Sequence, residues 1–440
     1  MLGIVLLAIS IILYLNSKFR YLSYLIYIGF MMGSYGGFNI LTDEVIGIKN
    51  QDTAIIYTFI ISFYLILNQQ YKLPNISCLK YYKYIILFLI CSIFFSYFYY
   101  EFSWYQILQG GRNFLLLFSL PILIHIKTVE LKKIFKIVYW ITLFTSILYI
   151  LQIIVGRPLM PYPFEPIADT STGLIRLYNS PPLVVLFLAL TFISPQYFNK
   201  HVVASRIIFF VTIICTLGRT HIISSIIIIL ITLYFQDKAS KLIKTSIIIG
   251  LLFIPFYNLI SDRFEEGKTD NDISTIIKGG FKDYSSNEGG TMTFRLAWVY
   301  ERFDYLMHRP LCEKIFGLGL ISDSQPIVNK MYKFHIGLID DKTGVPVQLS
   351  TADIAYGNLL TKMGFVGGAI YLMFIISLTI FFYKNRKTNP LTLIATAQLI
   401  MIFIGSLSDN ILSNPQNLTL YFIILGTIIK KDTLLFITKK

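Results

Sequence analysis

Long apolar runs separated by short polar breaks extend along almost the whole chain. Such runs lie near residues 2–16, 21–41, 53–67, 83–100, 107–126, 134–155, 181–194, 202–217, 221–235, 243–260, 363–383, 390–407 and 416–429. A bilayer core takes roughly 20 helical residues, so each run reads as a transmembrane helix. The pattern predicts an all-α polytopic membrane protein of about 13 transmembrane helices (12–14), with residues 1–440 forming one transmembrane domain. The first run, "MLGIVLLAISIILYLN", is apolar from its second residue and has no basic flank before it. That predicts a first span with its N-terminus outside, not a cleaved leader.

Two breaks are too long for simple turns. Residues 156–182, "GRPLMPYPFEPIADTSTGLIRLYNSPP", are rich in proline and polar side chains. Residues 261–352 form a large extracytoplasmic loop between the tenth and eleventh spans. Within it, "TMTFRLAWVYERFDYLMH" predicts a helix over 291–308, stopped by Pro310. Arg295, Trp298 and Arg302 fall on one face of that helix. Two cations and an indole suit a helix lying at a membrane interface, and equally a solvated basic helix.

Composition agrees with the pattern: the chain is 55% hydrophobic and 14% charged, with mean hydropathy +0.65. The net charge of +14 is mostly topology. Alternate connections carry Lys18/Arg20, Lys72/Lys80/Lys83, Lys127/Lys132/Lys133/Lys136, Lys200/Arg206, Lys238/Lys241/Lys244, Lys384/Arg386/Lys387 and Lys430/Lys431/Lys439/Lys440. The short connections between them hold only Lys49, Arg112, Arg157, Arg176 and Arg219. Lys and Arg concentrate on the cytoplasmic side, which puts the C-terminus inside and both long breaks outside. The basic excess therefore does not indicate a nucleic-acid partner. The four cysteines suggest no disulfide framework.

The centres of the spans carry essentially no Asp, Glu, Lys or Arg, whereas ion-coupled transporters usually need such groups there. Chemistry is therefore expected at the outer face, where Arg112, Arg176, Arg219, Arg295, Arg302 and Asp353 lie. Arg219, in "CTLGRTHIISS", sits in a tight hairpin between two short spans. Its planar fork can hold two oxygens of one phosphate, which a lysine cannot. An interfacial anchor is the competing role. "DND" at 270–272 reads as a solvated turn, "GLG" at 317–319 as a lone glycine pair, and His221, His308 and His335 lack metal-ligand spacing. No metal or other cofactor is implied.

Several of these pieces then line up in order. An outer "LGRT" hairpin precedes a large outer loop containing "FRLAWVYERFDYLMHRPLCEKIFGLGL", and the loop closes with "TADIAYGNLLTKMGFVGGAIYL". Over about 205–380 the chain resembles the O-antigen ligase and O-antigen polymerase superfamily of bacterial membrane glycosyltransferases. The resemblance implies a metal-independent, inverting transfer of a glycan from undecaprenyl diphosphate at the outer face of the cytoplasmic membrane. The acceptor would be a glycan or lipid A-core, with a chain-length regulator protein as an optional further partner. The family pattern puts diphosphate ligands at Arg219 and Arg295; among the other outer residues, Arg302 is a third candidate ligand and Arg112, Arg176 and His335 are secondary candidates. Ligases place a catalytic histidine eleven residues before the glycine opening the last "G-x-x-G". Here that glycine is Gly364 and the position is Asp353.

Asp353 can serve as a general base, yet the missing histidine favours polymerase over ligase. Asp353 or Thr351 could equally cap the next helix. If Asp353 only caps, His335 or Asp340 is the next candidate base. A polysaccharide flippase or other transporter is the alternative of a different class, opposed by the large outer loop and uncharged spans. A protein-glycosylating relative would differ only in acceptor.

Overall fold

The computed structural model describes residues 2–36, 49–160, 167–168, 175–177, 179–198, 201–235, 239–254, 291–340, 344–351, 353–387 and 389–430. The described chain is helical apart from a two-residue antiparallel ladder, β1 (Ile167–Ala168) with β2 (Ile175–Arg176). The helices before the ladder are α1 (Leu2–Leu15), α2 (Arg20–Met31), α3 (Asn50–Leu67), α4 (Ser77–Phe98), α5 (Trp104–Leu115), α6 (Leu120–Ile124) and α7 (Thr128–Val155). After it come α8 (Val184–Ile193), α9 (Val202–Cys215), α10 (Arg219–Tyr234) and α11 (Ala239–Phe253). Within the segment predicted to be the large loop lie α12 (Thr291–Met307), α13 (Leu311–Phe316) and α14 (Pro326–Met331), and they are followed by α15 (Ala355–Lys384), α16 (Pro390–Gly405) and α17 (Thr419–Ile429).

Among the described residues, five segments are long and apolar enough to cross a membrane: α3, α4, α5 joined to α6 through a 3-10 turn, α7 and α15. Shorter apolar helices lie in six of the other predicted runs, those at 2–16, 181–194, 202–217, 221–235, 390–407 and 416–429, and α12 matches the helix expected at 291–308 almost to the residue. Large apolar side chains point outward from these helices, with Ile12, Phe63 and Ile154 each more than half exposed. Contiguous apolar surface of this kind suits hydrocarbon, not water.

Polar groups inside the bundle pair across helices, as a low-dielectric interior requires. Ser23 Oγ meets Tyr57 Oη at 2.7 Å and Tyr27 Oη meets Thr58 Oγ1 at 2.6 Å, tying α2 to α3. At one end, Arg112 reaches Asp52 at 3.4 Å, Gln51 bonds Gln416 at 3.0 Å and Asn113 bonds Asn414 at 2.6 Å. All six residues belong to connections, or helix ends beside them, that the charge pattern puts outside. Lys133 over Tyr21 and Phe235 against Tyr383 join residues predicted on the other side.

The loop helices are locked to the bundle at one glycine contact. Gly364 interrupts α15 with φ 63°, and Gly317, with φ 80°, enters the interruption. A Cβ on Gly317 would lie 2.5 Å from the Thr361 carbonyl, and one on Gly364 would lie 2.5 Å from Gly317 N. Leu318 N–H donates to the Thr361 carbonyl that α15 leaves free there, at 2.6 Å. Phe316 stacks between Phe88 and Phe95 of α4. The "GLG" stretch is thus a packing device. It fixes the loop helices against α15, just beyond the helix start that carries Asp353.

Candidate functional site

The site begins where α15 begins. Thr351 Oγ1 accepts Asp353 N–H at 3.1 Å, and the Asn358 side chain holds Thr351 by both its N–H and its carbonyl. The N-cap position belongs to Ile354, without a side-chain cap. The first helical N–H, on Ala355, is taken instead by the Ser406 and Asp409 carbonyls, each at 3.1 Å. Neither Asp353 nor Thr351 caps the helix, contrary to one of the expectations. The loop after α16 fills that role and leaves the Asp353 carboxylate to turn elsewhere.

It turns to Arg295. Arg295 Nη2 lies 3.5 Å from Asp353 Oδ1, both side chains partly exposed. Arg295 Nε is shielded from solvent and has no hydrogen-bond partner among the described residues. The guanidinium therefore keeps donor capacity beside the carboxylate, one helical turn from Trp298. Trp298 is buried over Gly357 of α15, where any Cβ would collide with the indole. That close approach holds α12 against α15 and brings the two charged residues together.

The same helix corrects the expectation for Arg302. Its side chain is fully buried, and its donors go to the carbonyls of Trp298, Val347 and Gln348 and to Glu301 Oε2 at 2.7 Å. Its guanidinium also lies against the Trp298 and Phe334 rings. Burial pulls it down to about 9, opposed by Glu301, so it stays charged at neutral pH. With its donors engaged and no exposed edge, Arg302 holds Phe334, Val347 and Gln348 and is not placed to bind a diphosphate. The face bearing Arg295, Trp298 and Arg302 packs into protein and does not lie along a membrane interface.

The secondary positions scatter. Arg112 pairs with Asp52, and Arg176 lies in β2 opposite Ile167. His335 is almost wholly exposed, its backbone N–H and ring both facing Glu301. Asp340 takes part in a turn closed by Gly344 N–H at 2.8 Å. Residues 270–272 lie outside the described residues.

Arg219 opens α10, after a turn of Thr216, Leu217 and Gly218. Its side chain lies outside the described residues. The turn is as tight as the sequence predicts. Leu217 sits at φ 52°, a left-handed conformation that costs a non-glycine residue roughly 1–3 kcal/mol and persists only where its surroundings impose it.

One acid was not anticipated. Asp409 follows α16, and its carboxylate accepts Asn410 N–H at 2.6 Å. Burial pushes this carboxyl up, the Asn410 N–H and Arg295 pull it back, and Asp353 adds to the rise. Its backbone carbonyl holds the Ala355 N–H, which sets Asp409 beside the start of α15, two residues from Asp353. Asp409 also lines a cavity of about 280 Å³ whose walls come from α2, α8, α10, α16 and α17, with His221, Ser224, Gln398 and Tyr421 among the polar lining. His221 Nε2 is shielded there without a partner among the described residues. The signal for Asp409 was present in "SLSDNILSNPQN", a polar interruption of the apolar C-terminal run in which Asp409 is the only acid between residues 390 and 429.

No protein-family model matches the chain, and no curated protein matches it in sequence.

Proposed function

We propose that this protein is a bacterial membrane glycosyltransferase that extends a glycan carried on undecaprenyl diphosphate at the outer face of the cytoplasmic membrane, a surface-polysaccharide polymerase. The observation that carries the proposal is the Arg295–Asp353 contact of 3.5 Å, with Arg295 Nε unpartnered beside it. Transfer from a lipid diphosphate needs charge stabilisation on the leaving group and a proton acceptor near the incoming hydroxyl. A cation and a carboxylate side by side supply both.

In the proposed step the acceptor hydroxyl oxygen forms a bond to the anomeric carbon and the bond from that carbon to the diphosphate oxygen breaks. The hydroxyl proton passes to Asp353. The diphosphate leaves with its negative charge held by Arg295 and by Arg219 at the start of α10. Inversion follows from attack on the face opposite the leaving group. Two arginines do here what a divalent cation does in other transferases, so the reaction proceeds in the presence of a chelator.

The test is transfer itself. Purified protein in liposomes is given an undecaprenyl-diphosphate-linked oligosaccharide, and extended lipid-linked product is followed with and without EDTA. Extension insensitive to EDTA supports the proposal. Movement of the lipid-linked glycan across the bilayer without extension would favour a flippase instead.

A further inference from the structure

The cavity beside Asp409 has an electrostatic character that separates it from a phosphate site. Among the described residues its lining includes Asp409 and no lysine or arginine. A diphosphate there would meet an acid and, among the described lining residues, no cation to hold it. A bare hydrocarbon chain fits no better. It would leave His221 Nε2 without a partner and seal Asp409 against apolar groups, and a buried polar group without a hydrogen bond is destabilising. The remaining class is neutral and rich in hydroxyls.

We propose that this cavity, between α2, α8, α10, α16 and α17, binds a single neutral sugar ring, hydrogen-bonded by His221 Nε2 and the Asp409 carboxyl and packed on its C–H faces by the apolar walls. Mostly apolar walls with a few convergent polar groups are the usual composition of a small-molecule site. A volume of about 280 Å³ has room for one ring. Ser224 and Gln398 supply further hydroxyl partners on the same walls. Because the Asp409 carbonyl holds the Ala355 N–H at 3.1 Å, two residues after Asp353, a ring held here stands near the start of α15, the place for an acceptor's terminal sugar. Its identity as the acceptor rests on the transfer reading above; the binding itself does not.

The experiment measures binding without transfer. Full-length protein in lipid nanodiscs is mixed with methyl glycosides of glucose, galactose, rhamnose and N-acetylglucosamine, and saturation-transfer difference NMR reads their ring protons. At least one glycoside is expected to receive saturation, with the signal falling at least fivefold in His221→Phe and in Asp409→Ala. Gln398→Leu, on the cavity wall, is a third variant that keeps the measurement informative if either of those fails to fold. Inorganic pyrophosphate should leave the wild-type signal unchanged. No signal from any glycoside, a signal surviving in the folded variants, or displacement by pyrophosphate would each overturn the proposal. If glycosides bind while the liposome assay gives no extension, the transfer reading falls and the sugar site stands.

Discussion

Arg295 and Asp353, separated by 58 residues in sequence, meet at 3.5 Å between the large-loop helix α12 and the start of α15. Asp353 is not needed to cap α15, because the Ser406 and Asp409 carbonyls hold the first helical N–H. Substitution at this residue therefore tests the proposed catalytic role apart from a capping role. Asp353→Asn is expected to leave the melting temperature within about a degree of wild type. Extension should slow by roughly a hundredfold or more, the loss expected when a general base is removed. An Asn variant with wild-type extension would sink the proton-acceptor role.

The two arginines of α12 should behave oppositely. Arg302 is buried with its donors filled, and breaking such an arrangement costs about 3–5 kcal/mol. Arg302→Leu should lower the amount of folded protein in membranes. Arg295→Lys should leave that amount near normal and lose most activity, because it keeps charge but gives up the planar fork. Fluorescence-detected gel filtration beside the extension assay reads both quantities. Equal loss of folded protein in the two variants would contradict the division of roles.

Much of the fold was legible because membrane helices announce themselves by apolar length alone. The sequence pattern located α12 from its apolar spacing and Pro310, and it located the hairpin before Arg219 from a run too long for one span. Burial of an arginine is another matter. Arg295 and Arg302 share a face at helical spacing, and nothing in that spacing tells which one Phe334, Val347 and Gln348 cover. Asp409 escaped because it lies far in sequence from the loop residues it joins, in a short connection between two apolar runs. "GLG" read as an empty glycine pair because its purpose depends on Gly364, 47 residues beyond Gly317, whose interruption of α15 receives it.

That glycine contact gives a stability test. Gly317→Ala should cost roughly 1–3 kcal/mol from the left-handed backbone alone, with the collision against the Thr361 carbonyl added. Gly368→Ala, four residues beyond Gly364 with open space around it, should be neutral or stabilising by about 0.5–1 kcal/mol. Thermal melts of the two variants in one detergent compare them directly. A Gly317→Ala melt as high as that of Gly368→Ala would mean that the lock carries no load.

Asp409 predicts a dependence on pH. Its folded-state carboxyl is raised by burial, so the native protein binds this proton more tightly than the unfolded chain does. Stability from this group is then complete below about pH 4, the ordinary aspartate value, and is lost as pH rises through the folded value. Asp409→Asn cannot ionise and should escape that loss. The difference in melting temperature, variant minus wild type, should be smallest near pH 4 and grow toward neutrality. A difference that shrinks as pH rises would mean that the carboxylate is stabilised in the fold.

The central claim is that Arg295 and Asp353 together transfer a glycan from a lipid diphosphate. Its most direct test is chain extension by the purified protein in liposomes containing undecaprenyl-diphosphate-linked oligosaccharide. The assay compares wild type with Arg295→Ala and Asp353→Asn at equal amounts of folded protein. The account predicts extended lipid-linked product from wild type, undiminished by EDTA, and at least a hundredfold less from either variant. Wild-type protein that yields no extended product, or variants that extend at the wild-type rate, would contradict it.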